Sequence, residues 1–219
     1  MAVSFSPVET REAILQATLD LLRLGLNIGA SGNVSVRTQA GFCITPSGIP
    51  PDRLTPADMV DVALDGHPLS SGKPSSEWRF HRDLYAARED VGAVVHAHSP
   101  YATSIACLRR DIPPFHYMIA MAGGNTIRCS GYALFGTQEL SDTVLDAMRD
   151  RKACLMANHG MIATGHSLAG AMALAVEVES LSAQYWRALQ IGEPVLLTDE
   201  QMAEVHRQFS GYGDPATRA

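Results

Sequence analysis

The sequence predicts an α/β protein built around a central, largely antiparallel sheet, and three observations carry that expectation. Short β-type runs are joined by tight turns. Segments of helical periodicity alternate with them along the chain. No repeat, low-complexity tract or linker divides the 219 residues, and a hydrophobic content of 46% can fill one sizeable core, so a single domain over residues 1–219 is expected.

Taken in order, Ser6-Pro7-Val8-Glu9 has the form of a capping box with proline at the first helical position. Ile14, Leu15, Leu19, Leu22 and Leu26 follow at helical spacing, which predicts a first helix ending near Gly25. Alternating Val34-Ser35-Val36-Arg37 and, past a turn at Gly41, Phe42-Cys43-Ile44-Thr45 predict a hairpin. Val60 to Leu64 reads as a short strand, and Asp65-Gly66 as the turn of a second hairpin. A helix is expected from Ser75-Ser76-Glu77 to about Arg88, a buried strand over Gly92 to His98, and a helix capped by Ser99-Pro100. Thr137 precedes a helix to about Asp150. Strands Ala153–Ala157 and Met161–Thr164 flank the turn Asn158-His159-Gly160, and a long Ala- and Leu-rich helix runs from Ser167 to about Ile191.

Composition narrows the function. A net charge of −6 without a Lys/Arg block argues against a nucleic-acid partner, because phosphate backbones demand clustered positive charge. No apolar run approaches the roughly 20 residues that cross a bilayer, and the N-terminus lacks an export pattern, so no membrane association and a cytoplasmic location are expected. Cys43, Cys107, Cys129 and Cys154 form no CxxC pair and read as buried thiols in a reducing compartment.

The chemistry sits in four residues. On a strand, His96 and His98 project from one face while Val95 and Ala97 face the other. Alone, an HxH pair is equally two hydrogen-bonded core histidines. His159, aimed by a sharp Asn-His-Gly turn, and Glu77, at a helix start where an anion gains from the helix dipole, shift the balance toward a metal. Each has a plain alternative by itself, a turn histidine and a solvated first-turn acid. Three imidazole nitrogens and one carboxylate oxygen suit Zn²⁺, and Mn²⁺, Co²⁺ or Fe²⁺ accept the same donors. Gly32-Asn33, Ser47-Gly48 and Ser75-Ser76 offer N–H groups or hydroxyls to an anion, although such clusters also make ordinary turns. The other histidines, His67, His81, His116, His166 and His206, lack paired spacing and read as surface or packing residues.

The ordered segments SGNVSVR, TPSGIP, KPSSEWRFH, HAHSPYA, FHYMIAMAGGN, FGTQELS and ANHGMIATG span nearly the whole chain and resemble the class II aldolase and epimerase family. The resemblance implies a three-layer α/β/α domain assembled as a homotetramer, with active sites at subunit interfaces. It implies zinc held by Glu77, His96, His98 and His159, and substrate phosphate held by Asn33, Ser47, Gly48, Ser75 and Ser76. Glu77 is implied as the acid/base. Tyr117, reaching a neighbouring subunit's site, is implied as a second catalytic group. Tyr212, in a C-terminal tail that the resemblance implies is mobile from about residue 211, is carried over as a third. Phe135 matches a pocket aromatic.

The implied reaction cleaves a ketose 1-phosphate, such as L-fuculose 1-phosphate or a deoxy or methylthio pentulose 1-phosphate, to dihydroxyacetone phosphate and an aldehyde. A ribulose-5-phosphate 4-epimerase, dehydratase or decarboxylase of the same family is the alternative. The family's epimerases carry an acid where this chain has Tyr117. An adducin-like interaction module lacks the metal ligands that are present here, and a cupin needs an acid soon after HxH, whereas the next one here is Asp111.

Overall fold

The computed structural model describes residues 6–210; the tail carrying Tyr212 lies outside them. Seven strands form one sheet: β1 (Asn33–Thr38), β2 (Gly41–Ile44), β3 (Val60–Ala63), β4 (Ala93–Ala97), β5 (Arg128–Ser130), β6 (Ala153–Met156) and β7 (Gly160–Gly165), in the order β3-β2-β1-β4-β7-β6-β5. Every pairing is antiparallel except β5 with β6, so the sheet is mixed, largely but not purely antiparallel.

Strand alternation sorts the core into two layers. Val34, Val95, Ala97, Leu155 and Ala163 pack on one face against α1 (Val8–Arg23), α3 (Pro100–Ala106) and α5 (Leu168–Ile191), through Ile14, Ile105 and Val178 among others. Phe42, Ile44, Val94, Cys154 and Ile162 point to the other face, covered by Phe80 and Leu84 of α2 (Trp78–Ala87) and by Leu140 and Val144 of α4 (Gln138–Ala147). Each of the larger of these side chains, such as Leu155, Phe42 or Ile162, is worth about 1.5–3 kcal/mol when fully buried, and truncating Leu155 or Ile162 to alanine costs about 2–5 kcal/mol. Helices on both faces of the sheet give the three-layer arrangement.

Several local expectations are corrected. The Ser6 capping box does not form: Pro7 occupies the N-cap, and the Ser6 hydroxyl donates instead to the buried Asp61 carboxylate, which also pairs with Arg11. A buried acid from β3 outcompetes a local cap because its own desolvation must be compensated. The Asp65-Gly66 turn leads back along β3 through the single bridge Val62–Pro68 rather than a second strand, since proline offers no N–H to extend a ladder. Cys43 and Cys154 are buried, but Cys107 is exposed and Cys129 is half-buried. Strand β5, the two-turn 3₁₀ helix Tyr117–Ala122 and α6 (Asp199–Ser210) are additional to the expected elements.

Candidate metal centre

Two close approaches of backbone set the geometry. Asn33 pairs directly with His96 across β1 and β4, and Gly32 precedes it at φ +77°. A Cβ there would stand 2.3 Å from Asn27 Nδ2 and 2.7 Å from the His96 carbonyl oxygen, so only glycine fits. Asn27 is held in that space because its Oδ1 accepts the His98 backbone N–H at 2.8 Å, which anchors His98 one residue beyond the end of β4. Gly160 opens β7 so near that a Cβ would meet the Ala97 carbonyl oxygen at 2.5 Å and His98 Cδ2 at 3.0 Å. His159, just before it, is thereby brought against the β4 histidines.

Glu77, His96, His98 and His159 converge: one ligand atom from each lies within 4.8 Å of all the others. Glu77 is the N-cap residue of α2 and is 7% exposed. Its Oε2 accepts from Asn33 Nδ2 at 3.0 Å and stands 3.2 Å from His96 Nε2. Its Oε1 is buried with no hydrogen-bond partner among the described residues, 3.2 Å from His159 Nε2. His96 Nδ1 donates to the Met161 carbonyl oxygen at 2.9 Å, which turns Nε2 toward the cluster.

Burial, with His96 and His159 as neighbours, pushes His98 down to about 3 against the pull of Glu77. Burial and His96 push His159 down to about 4. Burial alone would raise the Glu77 carboxyl, but His96, His159 and the Asn33 hydrogen bond outweigh it and hold it at about 2. At neutral pH the site therefore offers unprotonated His98 and His159 rings and an ionised carboxylate with one orphaned oxygen. That donor set fits a divalent cation of the zinc type.

The cluster forms the floor of a cavity of about 350 Å³ reached by Glu77, His98 and His159, with His96 fully buried behind them. Asn33, Ser47, Gly48, Ser75 and Ser76 all line it, so the structure brings together the residues expected to hold phosphate. The backbone N–H groups of Ser47 and Ser75 are spent on the Lys73 and Thr45 carbonyls. The hydroxyls of Ser47 and Ser76 and the N–H groups of Gly48 and Ser76 have no hydrogen bond among the described residues and remain for an anion. Tyr132, Leu134 and Phe135 form an apolar wall of the same cavity.

Tyr117 is not part of this lining. It is half exposed, opens the 3₁₀ helix Tyr117–Ala122 and stacks on His116 with centroids 4.8 Å apart. His81, read from sequence as a packing or surface residue, is instead fully buried, pushed down to about 3 by burial and by His96, and hydrogen-bonded to Asn33 and Ser35. A signal for it existed: it follows Glu77 by four residues, one turn along the same helix face.

A mixed sheet clothed on both faces, with a carboxylate and three imidazoles gathered at the end of its central strand, is the build of a metal-dependent lyase. Residues 12–186 match the family described as Class II Aldolase and Adducin N-terminal domain, and the chain belongs to that family as an aldehyde-lyase. It is 54% identical over 211 residues to the 5-methylthioribulose-1-phosphate/5-deoxyribulose-1-phosphate aldolase of Rhodospirillum rubrum, covering 96% of each chain. It is 48% identical over 201 residues to the L-fuculose phosphate aldolase of Escherichia coli K12, covering 91% of this chain and 94% of that one. A solved L-fuculose 1-phosphate aldolase structure superposes with a TM-score of 0.91 at 37% identity, over 94% of this chain and 98% of the other.

Proposed function

We propose that the protein is a zinc-dependent aldolase that cleaves a ketose 1-phosphate to dihydroxyacetone phosphate and an aldehyde. The substrate class is a 5-deoxy or 5-methylthio pentulose 1-phosphate, or L-fuculose 1-phosphate, the substrates named for the relatives above. The observation that carries this reading is the Glu77, His96, His98 and His159 cluster at the floor of a cavity with unspent anion-binding groups on one side and an apolar wall on the other.

Cleavage of the C3–C4 bond leaves charge on the three-carbon phosphate half, which survives only if it spreads onto oxygen. Glu77, His96, His98 and His159 would hold the cation, and when bound it supplies Lewis acidity toward the substrate's oxygens. Ser47, Gly48, Ser75, Ser76 and the second N–H of Asn33 bind the phosphate in ground and transition states alike, so they set affinity and orientation. Glu77, ionised and with Oε1 free of hydrogen bonds, moves the proton at C3 of the product half. Tyr132, Leu134 and Phe135 receive the aldehyde's deoxy or thioether end, which needs an apolar surface.

Tyr117 exchanges the proton of the C4 hydroxyl, and does so in the cavity of a second subunit, which accords with its exposure and its absence from the lining of its own chain's cavity. This reading includes the homotetramer implied by the sequence. A panel of ketose 1-phosphates, scored for dihydroxyacetone phosphate release by the zinc-loaded protein, tests it. Release from at least one deoxy ketose phosphate is expected, with none after chelation; silence across the panel overturns the proposal.

A further inference from the structure

We infer that His81 is a positioning residue for Glu77: a one-way chain of hydrogen bonds from Tyr85 through Ser35 and His81 fixes the Asn33 amide so that it donates to the Glu77 carboxylate. The inference rests on the reading of Glu77 as the group that moves the C3 proton.

The direction of each bond follows from the end that has no choice. An ionised carboxylate only accepts, so the Asn33 atom 3.0 Å from Glu77 Oε2 is Nδ2. That leaves Asn33 Oδ1 facing His81 Nε2 at 2.5 Å, and a carbonyl oxygen also only accepts, so Nε2 carries the hydrogen. The Nδ1 of this neutral ring is then the acceptor, and Ser35 Oγ, 2.7 Å away, donates to it. With its one hydrogen committed, Ser35 accepts from the Tyr85 hydroxyl at 2.8 Å.

All the members are in place because of the fold. Asn33 and Ser35 are two residues apart on β1 and share a face, while His81 and Tyr85 lie one turn apart on α2 above them. Each is buried, Ser35 and His81 completely. Tyr85 is pinned in turn by Arg37, whose guanidinium donates to the Tyr85 carbonyl at 2.8 Å and sits 4.9 Å from the ring centroid. Dipoles aligned toward one carboxylate reinforce each other in a low-dielectric interior. The other His81 tautomer would present a lone pair to Asn33, favour an amide flip and put an oxygen against Glu77.

The step controlled by Glu77 can be read without carbon–carbon cleavage, as exchange of the C3 proton of dihydroxyacetone phosphate in D₂O followed by NMR on the zinc-loaded protein. His81→Phe removes the donor to Asn33, whereas His81→Gln keeps an N–H there, and both disturb Ser35. The expected result is exchange slowed about 10- to 100-fold in His81→Phe, the usual cost of losing a partner behind a metal ligand, with zinc content retained and with His81→Gln restoring most of the rate. Ser35→Ala, a smaller change, should slow exchange in the same direction and decides the matter if His81→Phe does not fold. If Glu77→Gln abolishes exchange while His81→Phe or Ser35→Ala exchanges at the wild-type rate, the positioning role is wrong and the Glu77 reading stands. Wild-type exchange in Glu77→Gln overturns the reading of Glu77 itself.

Discussion

The Nε2 atoms of His96 and His98 stand 2.9 Å apart, with the other nitrogen of His96 held by the Met161 carbonyl. Two imidazole nitrogens at that separation share a hydrogen bond without an ion, and a cation bound among them and Glu77 would replace that one contact with a bond to each donor. The protein should therefore lose stability when stripped of metal. Chelation is expected to lower Tm by about 5–10 °C, the equivalent of a ligand present at about a hundred times its Kd, and added zinc should restore it. Differential scanning calorimetry checks this, and an unchanged Tm would count against the centre.

Glu77→Gln keeps the size and one oxygen of the side chain but not its basicity. It is expected to retain bound metal while losing turnover by about 10²-fold or more. Elemental analysis alongside a dihydroxyacetone phosphate release assay separates the two effects.

His81 predicts a pH dependence of folding. Its folded value of about 3 lies below the ordinary 6.5, so the unfolded chain binds the additional proton in that window. Stability from this group is complete above pH 6.5 and is lost as pH falls toward 3, at about 1.4 kcal/mol per pH unit. Urea denaturation at a series of pH values between 7 and 4.5 should show this slope added to those of His98 and His159, which are depressed in the same direction, and His81→Gln should make the total shallower by about 1.4 kcal/mol per pH unit.

Ser76→Asp puts a negative charge on the cavity wall assigned to phosphate. KM for a ketose 1-phosphate should rise about tenfold for each 1.4 kcal/mol of repulsion, with kcat less affected. Equal loss in kcat and none in KM would place the phosphate elsewhere.

Gly32→Ala forces a methyl against Asn27 and the His96 carbonyl in a left-handed backbone. A loss of about 1–3 kcal/mol is expected from the backbone conformation alone. Since Asn27 holds His98, metal affinity should fall with it, measurable by competition with a chromogenic chelator.

The parts of this molecule that were legible in its sequence are those governed by short periods. His96 and His98 share a face because strand side chains alternate, and the cluster partners Val94 and Val95 fall on opposite faces as the same rule requires. Glu77 and His159 were visible as polar residues at points where an apolar element begins or ends. Strand β5 was not, because three residues of mixed character carry no period; it is held by parallel pairing with β6 and by Asp111 accepting the Cys129 N–H at 2.7 Å. Ser6 misled because the competitor for its hydroxyl, Asp61, lies 55 residues away. His81 looked ordinary for a related reason: its partners Asn33 and Ser35 are on another element, and only the sheet brings them beneath α2.

The donor atoms come from a helix cap, one strand end and a hairpin turn, and Gly160 joins the last of these to the rest. Three of the four donors, Glu77, His96 and His98, precede β7 in the chain, and His159 joins them only where β7 docks beside β4. The complete four-donor set is thus a property of the assembled sheet, and a bound ion would act as a latch between its two halves.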